Sequence, residues 1–299
     1  MNEKQTKADI AIIGAGAIGQ AIKAALNSDC NILMWDIRIG IVPDQQDLKD
    51  LIPKSDIVFL CVPSSGFRET VNTIKGYRKS GSAIISLTKG IESNTGEMIH
   101  DILSQTFPED FYALLSGPML AEEVQAGKGA VAMVASKNSK IYQKLNNLFK
   151  KDYLKLEYTD NIYSVAHAGI LKNVYALLIG IVDGLGYGNN IKGYFIGQIL
   201  SELKLVAGQL RLDEQIVFGV AGADDFIATA ISPYSLNQEA GKKIALNQAP
   251  PQSEGLTSLP HILKMLTEPG KLNILQLLEM IIIKKEDPKT VIYDYLYSR

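Results

Sequence analysis

The sequence predicts an α/β fold: a doubly wound, mostly parallel sheet in the first half of the chain, followed by an all-helical domain. Three observations predict it. Short apolar runs alternate with helical periodicity up to about residue 160. The first of these runs leads straight into a glycine-rich turn. Beyond residue 160 strand patterns become sparse and long apolar helical segments take over. Alternation of the first kind is the signature of parallel strands joined by crossover helices.

The opening unit is the most explicit. Residues 10–13 (Ile-Ala-Ile-Ile) read as a buried parallel strand, and 20–26 read as a helix. Between them stands Gly14-Ala15-Gly16-Ala17-Ile18-Gly19. A second strand, 31–35, ends at Asp36. Gly14 permits the tight turn, Gly16 lets backbone approach a pyrophosphate, and Gly19 lets helix and strand pack closely. The first helical turn, with Ala17 and Ile18, offers free N–H groups and a partial positive charge to phosphates. Asp36 is placed to accept hydrogen bonds from ribose hydroxyls. The domain is therefore expected to be of the Rossmann type and to hold NAD, since an acid at position 36 repels a 2′-phosphate. Arg38, two residues on, works against that preference.

The later strands follow at 56–63, 83–87, 112–116 and 130–135. Ligands of such sheets bind beyond the carboxyl ends of the strands. Pro63, Ser64, Lys89, Ser116 and Pro118 fall at those ends. Helical periodicity then covers 165–182, 191–210, 225–230, 259–266 and 272–283, with 248–255 read as a loop. The domain boundary is set near 160–161, giving an NAD-binding domain at 1–160 and a helical substrate-binding domain at 161–299.

Composition narrows the function classes. The chain has 299 residues, 46% hydrophobic and 21% charged, with a net charge of −2. A large core is expected and disorder is not. No basic stripe interleaved with aromatics speaks for nucleic acid. Cys30 and Cys61 read as small core residues rather than a disulfide. The three histidines have no metal-ligand spacing, so no metal is expected. Residues 1–7 lack the apolar segment of a signal peptide, and no apolar run reads as the roughly 20 residues that span a bilayer. A cytoplasmic protein without a membrane or nucleic-acid partner is the expectation. The apolar helices of the second half serve a core or a homodimer interface equally well.

Lys172-Asn173 sits within an otherwise apolar helical run, 168–178. Desolvation lowers the pKa of a lysine, and such an amine can protonate a carbonyl oxygen as hydride arrives. Asn173 can orient the same oxygen. The alternative is a lysine at a helix edge whose head snorkels to water. Likewise Asp224-Asp225 fits a helix N-cap, Ser235 and Asn237 fit a turn, and Lys89 fits a solvated loop.

Taken together, the motifs resemble those of the NAD-dependent glycerol-3-phosphate dehydrogenases. They are GAGAIG at 14–19, CVPS at 61–64, SLTKGIE at 86–92, SGPMLAEEV at 116–124, LKNVYALLIGIVDGLGYGNN at 171–190, GADDFIAT at 222–229, SLN at 235–237 with Gly241, and EG at 254–255. The resemblance implies that Lys172 is the catalytic acid/base. It places Lys89, Asn173, Asp225, Thr229 and Asn237 at the substrate, and Glu254 at the nicotinamide half of the cofactor. It also implies a role in glycerophospholipid metabolism. The departures are specific. Leu236 and Gln198 stand where the family has arginines, the first of which grips the substrate phosphate. Met119 replaces a serine, and the 38–56 stretch is short. Lys192, Lys242 and Lys243 are candidates to replace the lost grip. The expected reaction is hydride transfer between NAD(H) and dihydroxyacetone phosphate or sn-glycerol 3-phosphate. The alternatives are a different, non-phosphorylated hydroxy or keto substrate, and an NAD-binding protein relaxed from catalysis.

Overall fold

The computed structural model describes residues 7–298. The stretch read as free of a targeting segment lies, apart from Lys7, outside the described residues. Seven strands form one sheet: β1 (Asp9–Ile13), β2 (Asn31–Trp35), β3 (Ile57–Leu60), β4 (Ala83–Ser86), β5 (Tyr112–Ser116), β6 (Val131–Ala135) and β7 (Lys155–Thr159). Their order is β2-β1-β3-β4-β5-β6-β7. Neighbours from β2 to β5 run parallel, β5 and β6 are antiparallel, and β6 and β7 are parallel again. The fold is thus the expected α/β one, a mostly parallel Rossmann-type sheet with a helical second half. β3, β4 and β5 are buried along their whole length, as strands covered on both faces must be. β7 was not expected. It is a polar edge strand in which Leu156 alone is buried, so its sequence carries no apolar run to read.

Contacts divide the described chain into two compact units. The first comprises the residues up to Thr88 together with Ile99–Ile162. The second comprises Lys89–Met98 together with Tyr163 onward. The 1–160 boundary therefore misses one detour: Lys89–Met98, numbered among the strands, packs with the helices. An antiparallel bridge between Ile91 and Met98 folds this detour into a hairpin, and both side chains join the helical core.

The helical unit is built on Ile162–Gly184, a 23-residue helix. It is long and apolar enough to cross a membrane, contrary to the sequence expectation. Yet 89% of its most apolar window is buried within the protein. Leu236–Ala245, where the sequence reading marks Asn237 as a turn residue and assigns no helix, is a second helix capped by Ser235. It meets the long helix at glycines on both sides. A Cβ on Gly180 would overlap Gln238 O, and one on Gly241 would overlap Leu177 O. The segment read as a loop ends earlier than expected, because Ser253 caps a helix that begins at Glu254. Cys30 and Cys61 are free thiols, half-buried and packed against the core of the first unit.

Candidate active site

The glycine turn of the first unit has the geometry its sequence implies. Gly14 has φ +99°, a conformation that side chains avoid. Its N–H donates to Trp35 O at 2.7 Å, and a Cβ here would overlap Cys61 O. The turn thus sits tight against the ends of both β2 and β3. Gly19 packs back on Gly14 O with no room for a side chain. Gly16, in contrast, has nothing within 4 Å of its ideal Cβ. Gly16 stands directly before Ala17 and Ile18, the first residues of helix Ala17–Ala25. An open helix N-terminus has the chemistry to take an anionic group. The chain steps from β1 to β2 on one side and then to β3 on the other, so the turn lies at the topological switch point of the sheet. Pro63 follows β3 on the same edge and is exposed.

Asp36 closes β2 and is buried. Its Oδ2 accepts from Ala15 N–H at 2.8 Å, which ties the acid to the glycine turn. Arg38 holds both oxygens, through Nε to Oδ1 at 2.8 Å and Nη2 to Oδ2 at 3.0 Å. Those hydrogen bonds hold the carboxyl down at about pKa 2. Gln45 brackets the backbone of Asp36 from both sides, donating to its O and accepting from its N–H.

The second unit gathers the remaining chemistry. Lys172 and Asn173 lie on helix Ile162–Gly184. Asp225 and Thr229, four residues apart and so on one face, lie on helix Asp225–Ile231. A π-helical turn, Val220–Asp224, precedes that helix. Asp225 is therefore already helical (φ −68°, ψ −35°) and Asp224 makes no capping bond, so the N-cap reading is set aside. Asp225 instead pairs with two amines. Lys89 Nζ lies 2.5 Å from its Oδ2, and Lys172 Nζ lies 3.4 Å from its Oδ1. Lys172 also donates to Thr229 Oγ1 at 3.1 Å. The carboxylate is 3% exposed, while the two lysine side chains keep 16% and 13%. Burial pushes the Lys172 amine down to about 8; Asp225 pulls it up and Lys89 pushes it further down.

A chain of amides frames this cluster. Asn173 Nδ2 donates to Lys89 O at 3.0 Å, Asn237 Nδ2 to Asn173 Oδ1 at 2.9 Å, and Gly255 N to Asn237 Oδ1 at 2.9 Å. Three helices and the Lys89 hairpin are thereby held in register. Glu254, next to Gly255, is the first residue of its helix. Gln238 is a member the sequence did not reveal. Its Nε2 donates to Thr229 O and to Ser232 O, tying down the end of the helix that carries Asp225 and Thr229. No sequence pattern marks such a glutamine; only the Gly180 contact beneath it is hinted at by small residues.

The substitute cations fall elsewhere. Lys192 and Lys242 both pair with Asp183, at 2.9 and 3.2 Å. Asp183 is eleven residues beyond Lys172 on the same helix, roughly 16 Å at 1.5 Å per residue. Lys243 is bonded to Gln248. None of the three joins the Lys89–Asp225–Lys172 cluster in a hydrogen bond or ion pair. Leu236 is 59% exposed and carries no charge. Among the described residues of this unit the sole arginine is Arg211, at the C-terminal end of helix Asn189–Leu210. Among the described residues no cluster of three metal-ligating side chains forms.

Comparison with known proteins decides the relationship. The model of the NAD-dependent glycerol-3-phosphate dehydrogenase N-terminus matches residues 40–142, and that of the C-terminus matches 161–293. The chain belongs to the NAD-dependent glycerol-3-phosphate dehydrogenase family. The glycine turn lies before the first match, so its role rests on its own geometry. A glycerol-3-phosphate dehydrogenase [NAD(P)+] of Acinetobacter baylyi is 30% identical over 80% of this chain and 73% of its own length. One from Clostridium tetani is 30% identical over 78% and 73%. In fold, the chain is similar to glycerol-3-phosphate dehydrogenase from Coxiella burnetii, with TM-score 0.85, 22% identity and coverage of 98% and 99% of the two chains.

Proposed function

We propose that this member of the family interconverts dihydroxyacetone phosphate and sn-glycerol 3-phosphate, with Lys172 as the general acid/base. The observation that carries the reading is the pair of amines on one buried carboxylate. Lys172, at about 8, is largely protonated near neutral pH yet can be regenerated as a base. In reduction its ammonium gives a proton to the ketone oxygen; in oxidation the neutral amine takes it back. Thr229 Oγ1 and Asp225 fix where that amine points. Two ammonium groups against one carboxylate leave a charge of +1, which suits an anionic substrate, and Lys89 supplies the cation not used for proton transfer.

NAD, when bound, supplies or accepts the hydride. The open backbone at Gly16 and the free first turn with Ala17, Ile18 and Gly19 fit its pyrophosphate. Gly14 and Pro63 bound that cradle, and Glu254 is assigned to the nicotinamide half by family resemblance. Asn173 and Asn237 are assigned to the substrate in the same way, and their amides at the same time hold Lys89 in place.

A second reading is favoured by one feature. With Leu236 in place of an arginine and no arginine in the cluster, a phosphate has no bidentate fork to bind. A non-phosphorylated ketone or hydroxy acid then competes as the substrate. The deciding experiment offers the isolated protein NADH with dihydroxyacetone phosphate, and in parallel a panel of keto acids and ketones. Turnover of dihydroxyacetone phosphate that disappears in Lys172→Ala, while NADH still binds, supports the first reading. Turnover confined to the panel supports the second. Unchanged turnover in Lys172→Ala removes the lysine from its role.

A further inference from the structure

Glu202 is a buried acid that takes no part in the proton transfer. It lies on helix Asn189–Leu210, and no cation among the described residues pairs with it. Three donors meet its carboxylate instead. Tyr175 Oη donates to Oε1 at 3.0 Å, Leu275 N–H to the same oxygen at 3.0 Å, and Ile274 N–H to Oε2 at 2.6 Å. Burial raises its pKa, and those three bonds oppose the rise. Ile274 and Leu275 belong to the first turn of helix Asn273–Leu278, whose N–H groups need outside acceptors. Two of the three bonds therefore tie helix to helix.

The third bond leads to the site. Tyr175 is fully buried, three residues beyond Lys172 on the same helix and so its neighbour on the helix surface. Its ring meets that of Phe226 edge-on, with centroids 6.4 Å apart and planes at 68°. Phe226 directly follows Asp225 on helix Asp225–Ile231. The Tyr175 ring is thus a spacer between the helix of Lys172 and the helix of Asp225. Burial and the adjoining acid hold its phenol well above the usual pKa, so its hydroxyl stays a donor to Glu202. We propose that Glu202 is a positioning residue: through the Tyr175 hydroxyl it fixes the spacer ring, and with it the separation of the Lys172 amine from Asp225. This rests on Lys172 as the acid/base. Without the bond to Glu202 the ring is free to tilt, and the 3.4 Å separation widens. The amine faces Asp225, which pulls its pKa up, and Lys89, which pushes it down. A more distant carboxylate therefore lowers it. One ångström of added separation is worth about 0.2–0.8 pH unit, for effective dielectrics from ~80 to ~20.

Glu202→Gln sets an amide against an N–H donor and endangers the fold, so the deciding variant is Tyr175→Phe, which keeps the ring and removes only the hydroxyl. NADH consumption is followed across pH in wild type, Tyr175→Phe, Asp225→Asn and the double variant, with Tm measured beside it. The substrate is dihydroxyacetone phosphate, or whichever ketone or keto acid the protein reduces. In Tyr175→Phe, kcat is expected to fall several-fold with KM little changed. The limb that needs the ammonium moves to lower pH by about 0.2–0.8 unit. Adding Tyr175→Phe to Asp225→Asn gives no further shift, because no charge is left at 225. Wild-type kcat and limb in Tyr175→Phe overturn the proposal, even where its Tm is lower. So does an equal shift in the Asp225→Asn background. A limb that Asp225→Asn leaves in place, or a wild-type protein that turns over none of these substrates, overturns instead the reading of Lys172 on which the proposal rests.

Discussion

Replacing Asp225 with Asn removes the one negative charge between two amines while keeping the side-chain shape. The nearer oxygen lies 3.4 Å from Lys172 Nζ. At that separation Coulomb attraction is about 5 kcal/mol at an effective dielectric of 20 and about 1.2 kcal/mol in bulk water. At ~1.36 kcal/mol per unit, the loss lowers the Lys172 pKa by about 1–3.5 units from its present value of about 8. The sign is fixed: Asp225 favours the charged amine, Lys89 opposes it, and the variant leaves Lys89 alone. The limb of the pH profile that needs the ammonium must move to lower pH. Near pH 7 the protonated fraction then falls by about twofold at the small end of that range and by a few hundredfold, roughly, at the large end, and reduction slows with it. Site charge is +2 where Lys172 keeps its proton and stays at +1 where it does not, so KM for an anionic substrate should not rise. The assay follows NADH consumption with dihydroxyacetone phosphate across pH, with NADH binding measured beside it. A limb that stays in place, or moves upward, would refute Lys172 as the titrating acid.

Three further outcomes follow from the same geometry. Gln238→Met keeps the side-chain length and removes the donors to Thr229 O and Ser232 O; kcat should fall several-fold with cofactor Kd unchanged, whereas a lower Tm alone would mean that the glutamine merely supports the fold. Gly255→Ala drives a Cβ into Asn173 O, and an overpacking cost of about 1–3 kcal/mol should appear in denaturant unfolding; wild-type stability would show that the helices there can spread. Leu236→Arg places a fork beside the Asn237 amide chain, and steady-state kinetics should give a lower KM for phosphate-bearing substrates with little change for keto acids; an equal KM would mean that phosphate binds elsewhere.

Much of the fold was legible because burial leaves a mark on sequence. β3 and β4 bury every residue, and apart from Ser86 at the end of β4 their runs are apolar. β7 hides one leucine and could not be read. Helix Leu236–Ala245 was concealed by its own good capping: Ser235 and Asn237 look like turn residues, and one of them is indeed a cap. Lys172 and Asp225 could each be suspected, as charges among apolar neighbours. Their pairing follows only from the family resemblance, because 53 positions separate them and no spacing in the chain marks the contact. Asp36 shows the reverse: its position and the opposing effect of Arg38 were legible, but the direct pairing of the two was not.

The chain passes between the two units at 88–89, at 98–99 and at 162–163. A fragment expressed from Tyr163 onward would carry Lys172, Asp225 and Thr229 but leave Lys89 behind. Its carboxylate would face a single amine, and the surplus positive charge would vanish. Recombining this helical half with the nucleotide half of a relative meets the same obstacle. A working chimera has to carry the ten-residue hairpin Lys89–Met98 along with the helices, as a graft inside the foreign sheet.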